Sequence, residues 1–73
     1  MEKTGSVVMI GKCIANARLE MNLSRRDLAG MLGVSCEQME KYEAGKDPMP
    51  AGRLYQLSEV LGLPVTEFFK QPN

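Results

Sequence analysis

Two thiols and no imidazole bound the covalent and metal chemistry open to this chain. Cys13 and Cys36 are its only cysteines, and histidine is absent. Without histidine there is no side chain that titrates near neutral pH in its ordinary state, and no imidazole metal ligand. The cysteines do not form a CxxC pair, which suits a reducing cytoplasm better than a disulfide framework. No nucleophile–base arrangement, ligand cluster or glycine-rich phosphate loop is visible. The residues therefore argue against an enzyme and imply no cofactor and no metal.

The remaining chemistry is hydrogen bonding by short polar side chains, and its spacing marks where helices begin. Ser24-Arg25-Arg26-Asp27 is a capping box, in which the hydroxyl takes one orphan amide and the acid reaches back to another. Ser35-Cys36-Glu37-Gln38 repeats the arrangement with glutamine in the third place. Behind the first box come Leu28, Ala29, Met31 and Leu32, stopped by Gly33. Behind the second come Met39 and Tyr42, stopped by Gly45. Two helix starts this close leave three or four turn residues between them, a corner of the helix-turn-helix kind.

The elements around that corner also read as helices. Ile10, Ile14, Ala17 and Met21 fall on one stripe and predict a first helix over about 7–21, with Asn22 at its end. Lys46-Asp47-Pro48-Met49-Pro50 is a loop. A fourth helix runs from Ala51 to Leu61, with Leu54, Leu57, Val60 and Leu61 inward, and a short fifth covers Val65 to Phe69. The expected core is Ile10, Ile14, Leu28, Ala29, Leu32, Val34, Met39, Leu54, Leu57, Val60 and Leu61. Cys13, Met21 and Met31 are expected to pack as filler. The domain proper spans 10–69, with 1–9 as an N-terminal arm that can stay disordered and 70–73 as a tail.

At 73 residues, 44% hydrophobic and 25% charged, the chain has the size and mix of one small globular domain. Its uncharged runs, such as Thr4 to Gly11, are too short to cross a bilayer, and no basic segment precedes an apolar one as in a secretory signal. A cytoplasmic protein is expected. Nine basic residues balance nine acidic ones, so net charge does not favour a nucleic-acid partner, and any such case depends on where the charges sit.

From Arg25 to Ala44 the chain reads RRDLAGMLGVSCEQMEKYEA. This resembles the helix-turn-helix of the Cro/phage-repressor superfamily, the XRE-type regulators, and the likeness extends over about residues 10 to 69. It includes the Tyr-Glu-x-Gly that ends the recognition helix. The resemblance implies an all-α, compact five-helix lambda-repressor-like domain with the helix-turn-helix at helices 2 and 3. It further implies a sequence-specific DNA-binding regulator acting as a homodimer on a two-fold operator, of the Cro-like repressor, restriction–modification controller or antitoxin type. A protein-interaction module on the same scaffold is the competing reading.

What the resemblance implies can be carried over residue by residue. Helix 3 would lie in the major groove and present Ser35, Cys36, Glu37, Gln38, Glu40 and Lys41. Gln38 suits adenine and a glutamate suits cytosine, although Gln38 can instead close its capping box. Cys36 sits in a first helical turn, where the dipole favours a thiolate, but a small side chain beside a base or the backbone is the plainer role. Arg25, Lys46 and Arg53 are the phosphate candidates. Arg18 and Glu43 fall on positions that carry an ion pair in the family. Leu63, Val65 and Phe69 are left for a dimer contact, with Phe68 turned into the core.

The chain departs from the family pattern in two places, with Arg25 where glutamine is frequent and Glu40 where an uncharged residue is. Over residues 24–53, Arg25, Arg26, Lys41, Lys46 and Arg53 are matched by Asp27, Glu37, Glu40, Glu43 and Asp47. Non-specific affinity for DNA is expected to be weak.

Overall fold

The computed structural model describes residues 3–69, with side chains from Val7 onward. Four α-helices follow one another: α1 Lys3–Glu20, α2 Arg25–Leu32, α3 Cys36–Ala44 and α4 Ala51–Leu61. The fifth element, Val65–Phe69, is a 3-10 helix. Pro64 opens it, and the Glu67 amide donates to the Pro64 carbonyl at 2.9 Å, the tighter closure that short helical pieces adopt. The expected five α-helices are therefore four, with a 3-10 turn in fifth place, and the described residues contain no strand. No described helix is long and apolar enough to cross a membrane.

One core holds the elements together. α1 packs across α3 and the 3-10 turn, α2 across α3 and α4, and α4 against the 3-10 turn. Ile14, Leu28, Met39, Leu57 and Phe68 are sealed from solvent at its centre. Ile10, Cys13, Val34, Val60, Leu63 and Val65 pack around it and are half-buried, so three expected core residues, Ile10, Val34 and Val60, form its margin.

The helix-turn-helix corner follows from its caps. The Asp27 amide donates to Ser24 Oγ at 2.9 Å and the Ser24 amide to Asp27 Oδ2 at 3.1 Å, closing the first box. The Ser24 backbone amide, with the Ser24 hydroxyl second, holds the Asp27 carboxyl below its ordinary range. Gly33 ends α2 at φ 75°, a left-handed turn that a side chain would strain. The Gln38 amide then donates to Ser35 Oγ at 3.0 Å to start α3. The second box stays half-made, because the Gln38 side chain turns to Asp47 instead.

α1 starts four residues before the expected residue 7, and Val8 lies so close to Gly45 that a Cβ there would sit 2.9 Å from Val8 Cα. Two packing expectations fail for stated reasons. Met21 is on the inner stripe by angle, but α1 ends at Glu20 and Asn22 turns the chain away at φ 57°, leaving Met21 45% exposed. Met31 lies about 110° round from the middle of the Leu28–Ala29–Leu32 face, at 100° per residue, and is exposed. Residues 1–2 and the expected tail, 70–73, lie outside the described residues.

Candidate nucleic-acid interface

Helix α3 divides into two faces. At about 100° per residue, Cys36, Glu40, Ala44, Glu37 and Lys41 share an arc about 140° wide. All five are exposed, whereas Met39 and Tyr42 are buried and Gln38 and Glu43 are partly covered. Ser35 is exposed at the N-cap. The expected reading residues are thereby brought together on one open face, except Gln38. That face carries two carboxylates against one ammonium.

What holds the face in place is a charge cluster beneath it. Arg18 of α1 donates from Nε to Glu43 Oε2 at 2.7 Å and from Nη2 to Glu43 Oε1 at 3.2 Å. Its Nη1 donates to the Leu23 carbonyl at 3.0 Å. Planar guanidinium and carboxylate meet as a two-pronged pair, which fixes direction as well as distance. Both side chains are nearly closed to solvent, at 9% and 5% exposure, so the pair belongs to the interior. The expected ion pair is present, and it ties α1 to the last turn of α3.

Glu43 has a second partner. Arg25 Nε donates to Glu43 Oε1 at 3.1 Å from a side chain that is 42% exposed. The bond and the charge of Glu43 raise the pKa of the Arg25 guanidinium further above its already high value. Arg25, expected at a phosphate, thus also bridges α2 to α3. Two guanidiniums on one carboxylate leave a net positive charge at the corner.

Two more residues expected at DNA bond within the protein instead. Arg53 Nη1 donates to the Leu32 carbonyl at 2.9 Å, and Gln56 Nε2 to the same oxygen at 3.4 Å. Arg53 caps the C-terminal end of α2 from α4, where a cation suits the helix dipole. Gln38 Nε2 donates to Asp47 Oδ2 at 3.2 Å, tying α3 to the loop that follows it. Lys46 stays exposed, its backbone amide bonded to the Lys41 carbonyl at 3.0 Å.

Sequence reasoning missed two supports. Gly11 lies where α1 meets the end of α3, and a Cβ there would sit 2.6 Å from the carbonyl oxygens of both Tyr42 and Glu43. Asp47 anchors Gln38. A glycine within an apolar stripe and an aspartate in a proline loop carry no local signal of either role. Among the described residues no group of histidine, cysteine, aspartate and glutamate is placed to hold a metal ion.

Comparison with known proteins places this geometry. A family model described as a helix-turn-helix domain matches residues 11–73. An uncharacterised transcriptional regulator in the ATPase CF(0) region of Rhodospirillum rubrum is 35% identical over 60 residues, covering 82% of this chain and 56% of that protein. The chain spans about half the length of the relatives it matches. The restriction–modification controller protein C.AhdI from Aeromonas hydrophila superposes with a TM-score of 0.87 at 20% identity, over 94% of this chain and 100% of that one. The clp gene regulator ClgR from C. glutamicum superposes with a TM-score of 0.79 at 21% identity, over 84% and 79%. The paired caps, the left-handed turn between α2 and α3, the matched model and relatives named as transcriptional regulators agree: the chain belongs to the XRE-type helix-turn-helix family.

Proposed function

We propose that the chain is a sequence-specific regulator of transcription that binds a two-fold operator as a homodimer in the cytoplasm. The observation that carries this reading is the open face of α3, held rigid from behind by Arg18, Glu43 and Arg25. In such an arrangement α3 enters the major groove, Ser35, Cys36, Glu37, Glu40 and Lys41 face base edges, and α2 meets the backbone. Lys46 is the plainest phosphate ligand. Arg25 contributes its positive charge while keeping Glu43, and Arg53 supports the corner more than it touches DNA.

The dimer follows from the two-fold operator and from one exposed ring. Half-sites lie one DNA turn apart, about 34–36 Å, and each chain has one α3. Phe68 is sealed in the core while its neighbour Phe69 is 53% exposed, beside half-buried Leu63 and Val65. An apolar ring so placed supports a self-complementary contact across the 3-10 turn.

Footprinting on DNA enriched from a random pool tests the reading. The expected result is a protected site of two symmetric halves about 10 base pairs apart, with a dimer in sedimentation. A chain that stays monomeric and enriches no sequence removes it.

A further inference from the structure

We infer that each half-site presents C·G pairs to α3, with cytosine opposite Glu37 and Glu40 and guanine opposite Lys41, and that adenine read by Gln38 is not part of the code. The inference rests on the DNA-binding reading above and adds base identity to it.

The argument begins with what is free to bond. Glu37, Glu40 and Lys41 are exposed on one arc of α3 and, among the described residues, make no hydrogen bond or ion pair from their side chains, Glu40 feeling only the longer-range charge of Arg25. Gln38 lies beyond that arc, half-buried, with Nε2 held by the Asp47 carboxylate at 3.2 Å. Pairing with adenine would turn both Oε1 and Nε2 of Gln38 to one base edge. That would draw the amide away from a charged acceptor, the stronger kind of hydrogen bond.

The chemistry of the free groups selects the base. An ionised carboxylate only accepts, and an ammonium only donates. In the major groove cytosine presents the N4 donor with no acceptor on the same base. Adenine presents a donor beside the N7 acceptor, which repels the second carboxylate oxygen. Guanine and thymine present acceptors alone. Guanine, with O6 and N7 together, is the best match for Lys41. A carboxylate carried between phosphates without a donor loses hydration and gains repulsion, so each acid penalises every wrong base as well as favouring the right one. This explains how a reading face with an excess of negative charge serves recognition: it trades affinity for discrimination.

The test is selection from a random duplex pool with the wild-type chain, Glu37→Ala, Glu40→Ala and Gln38→Ala. The wild type should enrich a palindrome with C·G pairs at the positions α3 covers. Each glutamate variant should relax one of those positions, narrowing the Kd ratio between cognate and non-cognate pair by roughly 5- to 150-fold. Gln38→Ala should keep the wild-type consensus. A wild-type palindrome with A·T pairs throughout the α3 positions overturns the inference and leaves the DNA-binding reading standing. So does a consensus that changes with Gln38→Ala alone. Failure to enrich any sequence overturns both.

Discussion

Replacing Arg18 by alanine tests the cluster beneath α3 most directly. The substitution removes three hydrogen bonds, two to Glu43 and one to the Leu23 carbonyl. It leaves behind a carboxylate side chain that is 5% exposed. Breaking a buried pair from one side costs about 3–5 kcal/mol, because the surviving charge is stranded. Arg25 keeps its bond to Glu43, which places the expected loss near the lower end, about 3 kcal/mol. For a domain of this length that is a large share of a total on the order of 4–11 kcal/mol, and it lowers Tm by roughly 12–24 °C. Arg25→Ala removes one bond from a side chain that is 42% exposed, and should cost about 1 kcal/mol or less. Urea and thermal melts followed by helical circular dichroism measure both. Replacing both buried partners by apolar residues, Arg18→Met with Glu43→Leu, should recover most of the loss, because no carboxylate is then left buried. Equal small losses for Arg18→Ala and Arg25→Ala would refute the reasoning, since the pair would then behave as a surface contact.

Other outcomes follow from the same geometry. Asp27 has a folded pKa below its unfolded one, so its box stabilises the fold above the unfolded pKa of about 4 and the contribution fades as pH falls through the folded value; Asp27→Asn should flatten the acid side of a Tm–pH profile and leave its neutral side parallel to wild type. Lys46→Ala should weaken binding to all DNA sequences alike and reduce the salt slope by about one unit, without moving Tm. Arg53→Ala should instead lower stability by about 1 kcal/mol, because the Leu32 carbonyl keeps only its longer bond from Gln56, seen in a urea melt, with the salt slope unchanged. Phe69→Glu should leave a folded monomer in sedimentation, with operator affinity reduced at least tenfold; a mutant that still dimerises moves the interface elsewhere.

The parts of the fold legible in the sequence are those governed by neighbours in the chain. Ser24, Gly33, Ser35 and Gly45 punctuate α2 and α3 within a few residues of the groups they satisfy, and their spacing alone marks the corner. The pairing of Arg18 with Glu43 came through resemblance, since nothing local joins residues on different helices. What stayed hidden depends on distant partners. Gln38 has the spacing of a capping box, but its Nε2 donates to the Asp47 carboxylate, which turns the side chain away from the Ser35 amide. Arg53 looks like a free surface cation until α4 is laid beside the end of α2. α1 is the hardest helix to read, because its inner face includes Gly11 and Arg18 along with Ile14 and Ala17, so its apolar stripe is interrupted by the residues that fit it to α3.

The division of α3 into an anchored face and an open one bears on how such a chain can diverge. Met39, Tyr42 and Glu43 are committed to the interior, whereas the side chains of Cys36, Glu37, Glu40, Lys41 and Ala44 are exposed. Exchanges at positions of this kind ordinarily change stability by no more than about 0.5 kcal/mol. The outward chemistry of α3 can therefore be rewritten at these five positions while the scaffold, its caps and its ion cluster remain untouched.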